Sequence, residues 1–256
     1  MTNVVSQTLA IIALTNSDHN TDALFDAISL MYSEFPRLSD EGYSGFGSWT
    51  MHGYQPIAGN STSGYVHSIA IFGSSVSAAE KVFASTAAKL GQWNGTSLSI
   101  TVTYTSFATY FDTFTPQAQG PVGSNFALGS RFLDREALVS QPVKLKQTLQ
   151  TIAGTAEQVT SINIVFVGGG QVAKDRNDVY SGVNPAWRDT YVHNIVTRGW
   201  ADGANTSTIA EIRNDISNNK VQAMKDLAPN TGCYMNVSET WKPSLSKRKL
   251  WLIRRI

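Results

Sequence analysis

The sequence predicts an α+β fold: one mostly antiparallel sheet with helices on one face, opened by a ferredoxin-like unit. Apolar, β-branched runs of strand length recur along the chain. Two amphipathic segments with helical spacing lie between them, and Gly, Pro and Asn punctuate the joins. With 256 residues, 42% of them hydrophobic, the chain is long enough to bury a sizeable core.

Residues 4–14, rich in Val, Ile and Leu, read as the first strand, closed by Thr15-Asn-Ser-Asp18. Thr21 is the candidate cap of a helix in which Leu24, Ile28, Met31 and Phe35 repeat at helical spacing, and Pro36 is expected to stop it. Residues 42–51 are extended and Gly-rich, and 65–72 form a second clear strand. Residues 78–90 are a second helix, with Val82, Phe83 and Leu90 on its apolar side. Residues 97–104 alternate and are β-branched, giving a further strand. The order strand, helix, strand, strand, helix, strand resembles a split βαβ unit with both helices packed on one face. The order of the strands in space does not follow from one sequence.

Residues 114–124 hold Pro116, Gly120, Pro121 and Gly123 and read as a linker or an active-site loop. Helical sequence resumes over 134–156, and 163–167 is a buried strand ended by Gly168, Gly169 and Gly170. Residues 187–197 read as a strand. Residues 208–227 are helical, with Ile209, Ile212 and Ile216 in step and Asn218-Asn219 as a break.

Several function classes are excluded by composition. Net charge is +1 and no basic stripe argues for nucleic acid. No apolar run approaches the roughly 18 residues of a membrane span. The low charge and the sequons at Asn60, Asn94, Asn205 and Asn236 hint at secretion, although the run at 9–14 lacks the features of a signal peptide. The lone Cys233 rules out an internal disulfide and is expected to be a buried, inert thiol. His19, His52, His67 and His193 fall at no metal-ligand spacing and read as ordinary surface or core histidines. Gly168 to Gly170 lack the spacing of a phosphate loop and read as a bend at a strand end.

The segment 183–195 is more informative. Asn184-Pro185 sets an extended turn. Strand alternation then puts Trp187, Asp189, Tyr191, His193 and Ile195 on one face, and Arg188, Thr190, Val192 and Asn194 on the other. An aromatic and polar face of this kind is either a cleft wall or a half-exposed sheet face.

Val183-Asn-Pro-Ala-Trp-Arg188, then Gly199-Trp200, then Leu227-Ala-Pro-Asn-Thr-Gly-Cys-Tyr-Met-Asn236 together resemble fungal FAD-linked oxidases of the berberine bridge class. Leu128-Gly-Ser-Arg-Phe-Leu133 also matches their pattern, and the likeness runs from the first strand to about Asn236. The resemblance implies a substrate-binding domain over 1–227 and, over 228–256, a remnant of the family's C-terminal segment. The family's N-terminal FAD-binding domain is absent from this reading. The implied chemistry is flavin-mediated hydride removal from an alcohol, sugar or amine, with oxygen as acceptor and the cofactor FAD. By carry-over, Tyr234 is the catalytic base, and Tyr234 with Asn236 lies nearest the flavin. Arg188, Tyr191 and His193 line the substrate side. No metal is implied.

The chain departs from the family pattern after Asn236. Val237 stands where an acidic residue is usual, and the tail to Ile256 is basic and reads as a shifted frame. The chain is therefore expected to be an inactive fragment that self-associates through the surface meant for the missing domain. Members of the family are often secreted. The competing reading is a non-enzymatic α+β binding or dimerisation module.

Overall fold

The computed structural model describes residues 7–16, 21–51, 63–93, 99–107, 125–155, 157–158, 160–178 and 180–237. The loop at 114–124, His19, His52 and the tail from 238 onward lie outside the described residues.

The first half contains β1 (Gln7–Thr15), α1 (Thr21–Asp40), β2 (Ser44–Thr50), β3 (Gly64–Phe72), α2 (Val76–Gly91) and β4 (Ser99–Phe107). The second half contains β5 (Phe126–Asp134), a π-helical turn (Glu136–Ser140), α3 (Pro142–Ala153), β6 (Thr160–Phe166) and the short α4 (Gly170–Lys174). It continues with α5 (Pro185–Arg188), β7 (Thr190–Gly199), α6 (Thr206–Asp215), a second π-helical turn (Ile216–Lys220) and α7 (Val221–Leu227). The strands form one seven-stranded sheet in the order β4-β1-β3-β2-β6-β7-β5. Every neighbouring pair is antiparallel. The expected α+β class and ferredoxin-like opening unit are what the chain adopts, and β6 extends that unit beyond β2.

The helices share one face. Ala10, Ile12 and Leu14 of β1 are sealed under α1, whose Leu24, Ile28, Met31, Phe35 and Leu38 are all fully buried. Glu34 of α1 accepts from Lys89 at 2.7 Å and from Thr86 at 2.9 Å, so α1 and α2 lie side by side as expected. Burial alone would raise the Glu34 pKa, but the hydrogen bonds from Lys89, Arg37 and Thr86 outweigh it and hold the carboxyl low. Lys146 ties α3 to α1 through Asp22 and Asp26.

Several boundaries differ from the expectation. Pro36 lies inside α1 instead of ending it. One backbone bond is lost there, but Phe35 and Leu38 on either side are fully buried and hold the helix in register. The stop is Gly42 at φ 92°, where Tyr43 N donates to Leu38 O across the helix end. The strand expected from Trp187 begins only at Thr190. Asn184 caps a helical turn by accepting from Ala186 N at 2.9 Å, with Pro185 at the first helical position. Residues 134–156 are not one helix: Asp134 ends β5 and caps the following turn, and Pro142 starts α3. The expected break at Asn218-Asn219 is a π-helical turn that keeps the axis continuous. Cys233 is exposed rather than buried, because it sits on a strap at the sheet edge.

That strap covers the free edge of β5. Phe132 N donates to Gly232 O at 2.9 Å, and Thr231 Oγ1 donates to Phe132 O at 2.6 Å. Arg131 reaches from β5 to Ala228 O and Pro229 O. An open edge strand is thereby paired and shielded from other chains.

Candidate functional site

Cross-strand partners in a sheet point to the same side. One register row therefore runs Thr103, Ile11, Ser68, Phe46, Val165, His193, Phe132 across all seven strands. The next row runs Ala13, Val66, Ser48, Asn163, Ile195, Ser130. Both rows lie on the face opposite the helices. His193 is the only ionisable side chain in either of them. No described helix of more than four residues packs on this second face.

The rows end in an aromatic corner at β5 and β7. The His193 and Phe132 rings sit edge to face with centroids 5.2 Å apart. Trp187, brought up by the capped turn α5, lies 4.4 Å from Phe132. Tyr234 stands on the strap, 5.7 Å from Trp187 and 6.1 Å from His193. The strap's backbone bonds to β5 therefore also place the tyrosine.

His193 is 5% exposed, and burial pushes its pKa down to about 4, so the imidazole is neutral at physiological pH. Its Nε2 is buried and has no hydrogen-bond partner among the described residues. The same holds for Ser130 Oγ, one step along the strand from Phe132 on the same face. Two unpartnered polar atoms thus share the corner with three aromatic rings.

Of the residues singled out from sequence, His193 and Tyr234 come together here. Tyr191 does not. A bulge where Leu133 pairs with Val192 and Asp134 with Thr190 leaves Tyr191 without a cross-strand partner. Its hydroxyl donates to Asp40 at 3.2 Å, its ring lies under Arg135, and it belongs to the core under the helices. Arg188 is held at Ser181 and Asp178 in the loop before α5. Asn236 lies in the turn Met235–Val237, and its side chain is outside the described residues. Phe132 and Ser130 were not singled out as site residues. They fall inside the motif Leu128 to Leu133, but only pairing with β7 shows which of that motif's residues face the corner.

The glycine loop is not an anion site: Gly170 N, at the start of α4, donates to Asp40 Oδ1 at 3.1 Å. No group of three or more His, Cys, Asp or Glu that could hold a metal occurs among the described residues. No described helix is long and apolar enough to cross a membrane.

No family model matches the chain. It is 32% identical over 241 residues to the FAD-linked oxidoreductase hmp9 of Hypomyces subiculosus, covering 93% of this chain and 38% of that protein. It is 30% identical to the FAD-linked oxidoreductase apf9 of Gibberella fujikuroi, covering 92% of this chain and 41% of that protein. Among solved structures, the VAO-type flavoprotein MtVAO713 of Myceliophthora thermophila superposes with a TM-score of 0.86 at 31% identity. That match covers 94% of this chain and 42% of the flavoprotein. The chain thus spans about two fifths of the length of the relatives it matches. Berberine bridge enzyme shares the fold, with a TM-score of 0.57 at 11% identity. Across nearly its whole length, then, the chain is similar to part of the FAD-linked oxidoreductases and of a VAO-type flavoprotein and has the fold of berberine bridge enzyme, a likeness that points to FAD as the cofactor.

Proposed function

We propose that this chain forms the substrate-facing wall of an FAD-dependent oxidoreductase that oxidises an alcohol, sugar or amine with oxygen as acceptor. The observation that carries the reading is the second sheet face, free of charge and ending in an aromatic corner that holds Tyr234. Residues 1–227 act as the substrate-binding domain, and 228–256 begin the segment that leads away from it.

The described residues fit part of the cofactor. A flat face lined by aliphatic, hydroxyl and aromatic groups suits one side of a flavin ring and the substrate on it. A diphosphate needs converging N–H donors or cations. The glycine loop after β6 spends Gly170 N on Asp40. The chain alone is accordingly a poor FAD binder and inactive by itself.

When bound, FAD supplies the acceptor for a hydride. The chain's part is to hold the substrate and take its proton. Tyr234 is the candidate base: as a phenolate it takes the proton of the substrate's own hydroxyl and becomes the neutral phenol. Burial holds the His193 pKa down at about 4, so its imidazole is too weak a base to compete for that proton. Trp187 and Phe132 pack against His193 and fix its ring. Asn236 follows Tyr234 by two residues and takes the cofactor side. Tyr191 and Arg188, tied to Asp40 and Ser181, support the wall from behind.

The test is complementation. The flavin-binding part of the Hypomyces relative, mixed with this chain, is expected to yield hydrogen peroxide from a panel of alcohols, while neither piece does so alone. Tyr234→Phe should lower the rate by about 10²-fold or more with the same amount of flavin bound. Peroxide formation unchanged by that substitution would remove Tyr234 from the chemistry. Failure of the two pieces to associate would remove the wall itself.

A further inference from the structure

The second face has a chemical bias that its fold does not require. Across the two central rows, every described side chain is aliphatic, aromatic, hydroxyl or amide, apart from the neutral His193. The chain has 20 Lys and Arg and 19 Asp and Glu, so this is not for want of charge. The charges nearest the corner are committed elsewhere. Arg131, on the opposite face of β5, bonds the strap carbonyls, and Arg188 bonds Ser181.

An ionised ligand closed into such a site gives up its hydration and meets no countercharge. That loss of hydration is not repaid. A neutral ligand avoids it. The corner also offers a neutral ligand something specific. Ser130 Oγ and His193 Nε2 are buried and unpartnered, and each unmade hydrogen bond is a standing cost that a ligand can relieve. They sit on diagonal positions of one antiparallel pair and on the same face of the sheet. A serine hydroxyl both donates and accepts, and Nε2 does one or the other in either tautomer. A hydroxyl or carbonyl oxygen satisfies both. Phe132, Trp187 and Tyr234 supply ring faces around that point, and Tyr234, 39% exposed, is the outermost ring and the one a ligand meets first.

We infer that this corner selects an uncharged, ring-bearing substrate held by one hydroxyl or carbonyl oxygen between Ser130 and His193, and excludes amines and carboxylates. The inference rests on the wall reading above and narrows its alcohol, sugar or amine to a neutral aromatic or similarly flat alcohol.

The experiment is a titration of the isotopically labelled chain followed by NMR with three probes of equal size: benzyl alcohol, benzylamine as its cation, and benzoate. Benzyl alcohol is expected to shift the signals of Phe132, Trp187, His193 and Tyr234. It should bind about tenfold more tightly than either ion, the size of one well-made hydrogen bond. Ser130→Ala and His193→Leu should each remove most of that preference, and the circular dichroism of both is compared with that of the parent chain. If His193→Leu does not fold, Ser130→Ala carries the test alone. Equal or tighter binding of either ion, shifts confined to other parts of the chain, or no shift with benzyl alcohol would each overturn the inference. The complementation assay does not depend on probe charge, so a peroxide-forming complex that prefers an amine would sink this inference and leave the oxidoreductase reading standing.

Discussion

The two faces of the sheet each hold a buried histidine with an unpartnered Nε2, and the contrast between them separates core from site. His67 points under the helices, among Phe35, Phe166 and Tyr65, and its Nδ1 shares a hydrogen bond with Tyr65. Nothing can reach it without unpacking α1. His193 points to the face that the helices leave alone and is covered by rings from a short turn and a strap. Some polar groups under the helices are wired to one another: Trp49 Nε1 donates to Tyr32 at 3.0 Å, and Tyr32 donates to Asn194 Oδ1 at 2.6 Å, while Ser39 and Thr160 keep buried hydroxyls without a partner, as His67 does its Nε2. On the second face, Ser130 and His193 wait unpaired. The same chemical defect is a sealed cost in one place and an offered contact in the other.

The comparison is most severely tested at Trp49. It is 2% exposed, packs edge-on to Phe25 and anchors the Tyr32 chain of hydrogen bonds. Trp49→Ala should destabilise the chain by about 3–5 kcal/mol in urea unfolding. A loss below about 1 kcal/mol would mean that the helix face is not where folding energy concentrates.

The two histidines predict the next largest effect. Burial pushes His67 down to about 3 and His193 down to about 4. The unfolded chain takes up protons near the ordinary imidazole pKa of about 6.5, and the folded chain does not. Stability is therefore full above about pH 6.5, falls as pH drops, and levels off below the folded values. Each imidazole contributes roughly 2 kcal/mol of loss by pH 5, at about 1.4 kcal/mol per pH unit. Urea midpoints measured between pH 7.5 and 5 check this. His67→Leu should flatten the slope by about half, as should His193→Leu. A ligand on the second face should alter only the His193 share. Equal sensitivity of both shares to a ligand would erase the distinction between the faces.

Much of the fold was legible because it is periodic. The Leu24 to Phe35 repeat, the β1 and β3 runs and the βαββαβ order follow from one-dimensional patterns that burial then confirms. β5 was not legible. Its helix-side residues include Gly129 and Arg131, which look wrong for a buried strand. Gly129 is required because a Cβ there would meet Val221 Cγ2 at 2.3 Å, and Arg131 is satisfied by carbonyls almost a hundred residues away. The Trp187 strand misled because Asn184-Pro185 suits an extended turn and a helix start alike, and only the Asn184 cap decides between them. In the candidate site, alternation correctly set His193 apart from Asn194. It could not see the bulge that draws Tyr191 into the core, nor the strap that carries Tyr234 to His193.

The smallest expected effect is the sharpest test of the second face. Phe46 sits in the middle of its central row, between Ser68 and Val165, and is 48% exposed. Phe72 and Phe126 on the same face are 47% and 43% exposed. These three half-bare phenylalanines are spread over one charge-poor face, with Phe46 at its centre and the other two toward its ends. Phe46→Ser removes a ring that is already half in water, so it should cost about 1 kcal/mol or less in urea unfolding. We propose that copies of the chain associate through this face, so the same substitution should shift the chain toward the monomer in light scattering across a dilution series. Suppose instead that Phe46→Ser costs as much as Trp49→Ala and leaves the scattering unchanged. Phe46 would then be buried in solution by this chain's own residues, and the second face would be a core and not a wall.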